Sequence, residues 1–271
     1  MKKWLWGVLF MFLMAVLAGG CGRPAGQGGQ PGQAGQNAGG QKEITVSAAI
    51  SLKDALEKIK ENYTKEHPEI KITYNLGASG SLQKQIEQGA PVDLFISAGV
   101  SQMDQLAAEG LLEGDSRLNL LRNELVVVTP KNAAPLKDFN DLAGPEVKNI
   151  ALGHPDTVPA GQYTRESLTN LKLWDKLQPK LVMANDVRQV LTYVETGNAD
   201  AGFVYRSDAL MGKNVQVALT VPDNLHKPIV YPAAVLKNAP QKEAAREFLH
   251  YLASPAGMKV FTEFGLKPGQ K

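Results

Sequence analysis

From residue 42 onward the chain repeats one pattern. A short aliphatic or β-branched run leads into a junction of small and hydroxyl residues, and apolar positions at helical spacing follow. Ile44-Thr45-Val46-Ser47-Ala48-Ala49 reads as a buried strand, and Leu52, Ala55, Leu56, Ile59 and Tyr63 continue at the period of a helix. Ile70–Tyr74 alternates as a strand, Leu82 and Ile86 mark a second helix, and Val92–Ile96 is a third strand. A second series begins at Leu125–Val128. It runs through a strand at Ile150–Leu152, helices near 161–173 and 186–196, and a strand at Ala201–Tyr205. Helical patterns at 241–253 and 255–264 close the chain. Strands that alternate with helices imply parallel sheets joined by right-handed crossovers, so the expected class is α/β. The 230 or so residues after the tether described below divide into two lobes of roughly 115 residues each, a usual domain size. We place lobe I at 42–121 plus 236–271 and lobe II at 122–235.

The first 41 residues follow different rules. A basic start, Met1-Lys2-Lys3, precedes fourteen apolar or glycine residues, Trp4–Leu17. That run is too short to span a bilayer and has the length of a secretory h-region. Ala18-Gly19-Gly20-Cys21 comes next and resembles the lipobox of bacterial lipoproteins, with Ala18 where leucine is usual. The expectation is a signal peptide over 1–20 and a lipidated Cys21, the only cysteine of the chain. Residues 22–41 hold eight glycines, five glutamines and one charge, Arg23, which cannot bury a core and reads as a flexible tether. The expected location is the outer face of the cell membrane, held by lipid alone. A single cysteine excludes disulfide frameworks and cysteine-based metal clusters. Once Lys2 and Lys3 are removed with the leader, 27 basic residues face 27 acidic ones with no long run of one sign, so nothing points to nucleic acid.

In open α/β sheets ligands sit beyond the carboxyl ends of the strands, where helices begin. Four such junctions stand out. Ser51 precedes a helical run with Asp54 three residues on, a capping-box-like start. Gly77-Ala78-Ser79-Gly80-Ser81 offers small residues and hydroxyls before the second helix. Val158-Pro159-Ala160-Gly161 can present the N–H groups of Ala160 and Gly161, and Asn185-Asp186-Val187-Arg188 has Asp186 as a natural N-cap. Tyr205 ends a strand. Each has an ordinary structural explanation: a cap, a turn, a half-buried rim residue, a solvated arginine. Their number is what matters, because helix starts offer unpaired N–H donors and the positive end of the dipole, which suit an anion.

The ordered set Ile44-Thr45-Val46, Ala49-Ile50-Ser51, Gly77–Ser81, Gly89–Ala98, Leu125–Val128, Val158–Gly161, Asp186-Val187-Arg188, Phe203–Ala209 and Tyr231-Pro232-Ala233 resembles the molybdate-binding proteins of bacterial ABC importers. It runs from about Ile44 to Gly265. The resemblance implies a two-lobed periplasmic-binding-protein fold with a hinge and an interlobe ligand cleft. It further implies that Ser51 and Ser79 donate through hydroxyl and backbone, Ala160 and Val187 through backbone N–H, and Tyr205 through its hydroxyl. These five would hold molybdate by its oxygens and would not ligate the metal. Molybdate, with tungstate, would be cargo for an ABC permease, carried by a monomer without cofactor or enzymatic activity. Ile50, where the family more often has a small residue, and Gly80, where a hydroxyl residue is more usual, depart from the pattern. A donor-only site suits an oxyanion with no proton left, such as molybdate, tungstate or sulfate, whereas protonated phosphate benefits from an acceptor. Asp186 is expected to face its own helix, and Arg188 either to lend a field from behind the donors or to stand in solvent.

Three rivals can be set beside this. A hydrolase would need glycine where Ser81 stands to complete a nucleophile elbow, and the histidines at 67, 154, 226 and 250 have no catalytic context. A binding protein for another oxyanion such as sulfate shares the fold and most of the mechanism. A structural surface lipoprotein would not need the donors at all.

Overall fold

The computed structural model of the protein describes residues 41–269, so the expected leader, Cys21 and all of the tether but Gln41 lie outside the described residues. The chain opens with β1 (Lys42–Ala49), a 3-10 turn at Ile50–Leu52 and α1 (Lys53–Glu66). β2 (Ile70–Gly77), α2 (Ser79–Glu87), β3 (Leu94–Ile96), α3 (Val100–Ala108) and β4 (Leu118–Arg122) follow. After two linking residues comes β5 (Leu125–Pro130), then β6 (Ile150–Gly153), α4 (Pro159–Asn170), α5 (Trp174–Leu177) and β7 (Leu181–Ala184). α6 (Val187–Glu195), β8 (Ala201–Tyr205), α7 (Arg206–Met211) and β9 (Val215–Thr220) complete this stretch. The chain then returns through β10 (Val230–Val235), α8 (Lys242–Ala253), α9 (Pro255–Glu263) and β11 (Lys267–Pro268).

Two sheets result, ordered β11-β4-β10-β3-β1-β2 and β7-β6-β8-β5-β9. β1 pairs in parallel with β2 and β3, and β6 with β7 and β8, as helical crossovers require. β10 and β5 run antiparallel to their neighbours, so both sheets are mixed, with the parallel pairing that the alternation implied confined to β1–β2, β1–β3, β6–β7 and β6–β8. The reason is connectivity. β5 and β10 enter from the other sheet through linkers, with no helix to turn them parallel.

The chain first crosses from one sheet to the other at Asn123-Glu124. The second crossing lies between Thr220 and Val230 and not near 235, because β10 is hydrogen-bonded to β3 and β4. Val230–Val235 therefore belongs with the first sheet. Pro232, a poor strand residue, sits at a register shift in β10, where the missing N–H is tolerated.

The apolar periods explain the packing. Ile44, Val46 and Ala48 of β1 are buried, as are Leu52, Leu56 and Ile59 on one face of the following turn and helix. Tyr63, at the end of α1, packs edge-on against Phe248 and Tyr251 of α8 and so ties the last helix pair to the first sheet. Among the described residues no helix is long and apolar enough to cross a membrane.

Candidate oxyanion site between the lobes

Ser51, Ser79, Ala160, Val187 and Tyr205 all line one small, tight cavity, together with Ala98, Ile50 and Asp186. Four of the five stand where a helix or 3-10 turn starts beyond the carboxyl end of a strand, and Tyr205 is the last residue of β8. The serines come from the first sheet's side, the other three from the second's. Residues up to 154 positions apart in sequence thus meet at one point.

Each donor has a local cause. Ser79 is the first residue of α2 and is buried; its Oγ accepts the Ala98 N–H at 2.9 Å. That leaves its own proton unspent. Pro159 starts α4 with a φ suited to a helix and no N–H to satisfy. Among the described residues no acceptor is found for the N–H groups of Ala160 and Gly161. Val187 opens α6 behind Asp186, whose Oδ1 accepts the Gln189 N–H at 2.9 Å; the expected cap is present and its carboxylate is engaged by its own helix. Tyr205 is fully buried rather than at a rim. Its hydroxyl donates to the Ala98 carbonyl at a long 3.4 Å, and burial pushes its pKa well above the usual tyrosine value, so it remains a donor.

Ser51 differs from expectation. Neither the 3-10 turn nor α1 has a side-chain cap, and the Ser51 hydroxyl meets the Tyr231 hydroxyl at 3.0 Å instead. Asp54 is likewise no part of a capping box. It receives Arg188 Nη2 from α6 at 2.5 Å, across the two lobes. The Arg188 Nε lies 2.9 Å from Asp208 at an angle poor for a hydrogen bond. Arg188 is thus no solvated helix residue: its side chain is 21% exposed and held between two carboxylates. Burial raises Asp208 to a pKa of about 6, with Arg188 working against that rise.

Backbone contacts also join the lobes. The Gly80 N–H donates to the Thr157 carbonyl at 2.9 Å. A Cβ at residue 80 would stand 2.7 Å from that same oxygen, so the departure from the family pattern allows this approach. Ile50, the other departure, lies in the cavity wall. Sequence reasoning did not assign roles to Tyr231, Asn123 or Thr157. Only Tyr231 carried a signal, its place in the Tyr231-Pro232-Ala233 motif.

The wall therefore offers hydroxyl and peptide donors with no basic side chain among the lining residues. Such an arrangement can bind a small anion through dipoles alone.

The chain is similar to known proteins along nearly all of its described length. A family model described as bacterial extracellular solute-binding protein matches residues 44–267. The Bacillus subtilis protein YvgL, named provisionally as an ABC transporter substrate-binding lipoprotein, is 49% identical over 223 residues, covering 82% of this chain and 85% of its own. The molybdate-binding protein ModA of Escherichia coli is 39% identical over 229 residues, with 82% and 88% covered. The solved structure of the periplasmic molybdate-binding protein of Azotobacter vinelandii superposes with a TM-score of 0.76 at 27% identity, covering 84% of this chain and all of that one.

Proposed function

This chain belongs to the bacterial extracellular solute-binding proteins, and from that membership we propose that its interlobe cavity captures molybdate, and tungstate with it, for delivery to an ABC permease. The observation that carries the reading is the convergence of five uncharged donors from two lobes on one small cavity. Molybdate-binding relatives at 39% identity support the choice of anion.

The chemistry follows from the donors. A dianion needs compensation on leaving water, and here it comes from hydroxyl dipoles and the N-terminal ends of α4 and α6. Ser51, Ser79 and Tyr205 would give O–H donors, Ala160 and Val187 peptide N–H donors. All five would contact oxygen and none the metal, and no cofactor is required. Because the donors are divided between lobes, only the assembled cavity makes every contact, so the ligand stabilises that arrangement over a separated one. A permease could then tell loaded from empty protein by shape. We place the protein outside the membrane as a monomer anchored through Cys21; the lipoprotein name of the YvgL relative supports the anchor.

The test is calorimetric titration of the purified full chain, stripped of bound anion, with molybdate, tungstate, sulfate and phosphate at one pH. Tight one-to-one binding of molybdate and tungstate, with the other two weak, is expected. Sulfate binding best would keep the capture and overturn the molybdate assignment. No oxyanion binding by folded protein would return the helix starts to the role of caps.

A further inference from the structure

The hydrogen bonds behind Ser51 have a direction that can be worked out atom by atom. Asn123 lies in the first crossing between the lobes, and its Oδ1 accepts the peptide N–H of Glu124 at 2.9 Å. A peptide N–H can only donate, so the orientation of the Asn123 amide is settled. Its Nδ2 then faces the Ser207 Oγ at 2.8 Å and the Tyr231 hydroxyl at 3.2 Å. An amide nitrogen carries two protons and accepts nothing, so both are given away. The Tyr231 oxygen is thereby an acceptor toward Asn123. Among the described residues its only other hydrogen-bond partner is the Ser51 Oγ, 3.0 Å away, so a buried phenol proton that is to be satisfied goes there. Ser51 accepts there, and its own proton remains for the cavity that it lines. Ser79 reaches the same state more simply, because the Ala98 N–H occupies its oxygen.

We infer that Tyr231 and Asn123 are positioning residues that hold the Ser51 hydroxyl as a donor into the cavity, and that this relay makes the site select oxyanions without a proton. The inference rests on the reading of the cavity as an oxyanion site. A serine hydroxyl free to rotate could accept a proton from hydrogenphosphate as readily as donate to molybdate. The relay turns one lone pair toward Tyr231 and the proton toward the cavity, so Ser51 meets an anion there as a donor. Tyr231 suits this role because it is fully buried and its ring is held edge-on to Tyr205 at 5.6 Å. Burial also raises its pKa well above the usual value, so the phenol keeps its proton.

The experiment is a double-mutant cycle on the full chain with Ser51→Ala, Tyr231→Phe and the pair, titrated with molybdate and with phosphate across pH 6 to 8. Tyr231→Phe keeps the ring and removes the hydroxyl that joins Asn123 to Ser51. It is expected to weaken molybdate binding roughly tenfold. It should leave phosphate binding equal or stronger, most visibly toward pH 6, where phosphate carries more protons. In the Ser51→Ala background Tyr231→Phe should cost nothing further, because Tyr231 acts through the missing hydroxyl. Additive losses, or an unchanged molybdate-to-phosphate ratio in Tyr231→Phe, would overturn the relay and leave a packing role. Asn123→Asp provides a second arm. A carboxylate must accept where the amide donated, which turns the relay round, so molybdate affinity should fall in the wild-type background and much less in Tyr231→Phe. Thermal melts without anion check that each variant is folded. Failure of the wild type to bind molybdate would sink the oxyanion reading itself, whereas wild-type binding with an additive cycle sinks the relay alone.

Discussion

Asp208 is wholly buried in α7, with Arg188 Nε at 2.9 Å. Burial lifts its pKa from 3.8 to about 6, Arg188 opposes the lift, and the carboxylates of Asp54 and Asp186 add to it. Between those two values the folded protein holds a proton that the unfolded chain has released. The stabilising contribution of this group is therefore complete below about 3.8 and is lost as pH rises through about 6. Asp208→Asn carries no such loss. In urea unfolding from pH 4 to 7, the stability difference between the two proteins should move in favour of the variant by about 1–3 kcal/mol. Parallel pH curves would show that Arg188 fully neutralises the buried carboxylate. Residue types announced little of this. An aspartate three places beyond Tyr205 reads as an ordinary first-turn acid, and only the packing of α7 against α6 buries it beside Arg188.

At the scale of the element, α4 shows why a backbone donor is hard to mutate directly. Its Thr164 and Ser167 hydroxyls return to carbonyls one turn back, so the helix can bury them. Its first turn presses on β6 so closely that a Cβ at Gly161 would stand 1.9 Å from the Gly153 carbonyl oxygen. Gly161→Ala must push α4 away from the sheet. It should cost about 1–3 kcal/mol in thermal or urea unfolding, and lower molybdate affinity at least tenfold as the Ala160 N–H is displaced. Ala160→Gly keeps that N–H and should bind with little change, at roughly 1 kcal/mol of stability. A binding loss in Ala160→Gly as large as in Gly161→Ala would count against the backbone assignment. The helix itself was legible, since Pro159 at its start and the apolar spacing are local signals. β4, β7, β9 and β10 were not read as strands, being short, half-polar or interrupted by Pro232; their hydrogen-bonded partners, rather than their own composition, make them strands.

For the whole molecule the question is what holds the lobes together around the cavity. The Gly80–Thr157 peptide hydrogen bond and the Arg188–Asp54 ion pair both cross between them. Alanine is the better helix former at residue 80, in the first turn of α2, but its Cβ would meet the Thr157 oxygen at 2.7 Å and the Thr157 Cα at 2.9 Å. Gly80→Ala is thus expected to leave anion-free melting nearly unchanged while molybdate affinity drops about tenfold, because only the assembled state carries the clash. Equal affinity in calorimetry, with the fold intact, would mean that the lobes close without this contact.

The sequence by itself determined the α/β alternation and marked the helix starts, while the five candidate donors were named through the family resemblance. Periodicity, proline placement and N-capping act within a dozen residues and can be read there. Tertiary structure alone decided the strand directions, the second crossing before Val230, the burial of Asp208, and the meeting of Ser51, Ser79, Ala160, Val187 and Tyr205 at one cavity. It also took the Ser51 hydroxyl from the cap predicted for it and gave it to Tyr231. The physical reason is that register, and the partner a hydroxyl finds, depend on contacts between residues as much as 180 positions apart, and no local pattern encodes those.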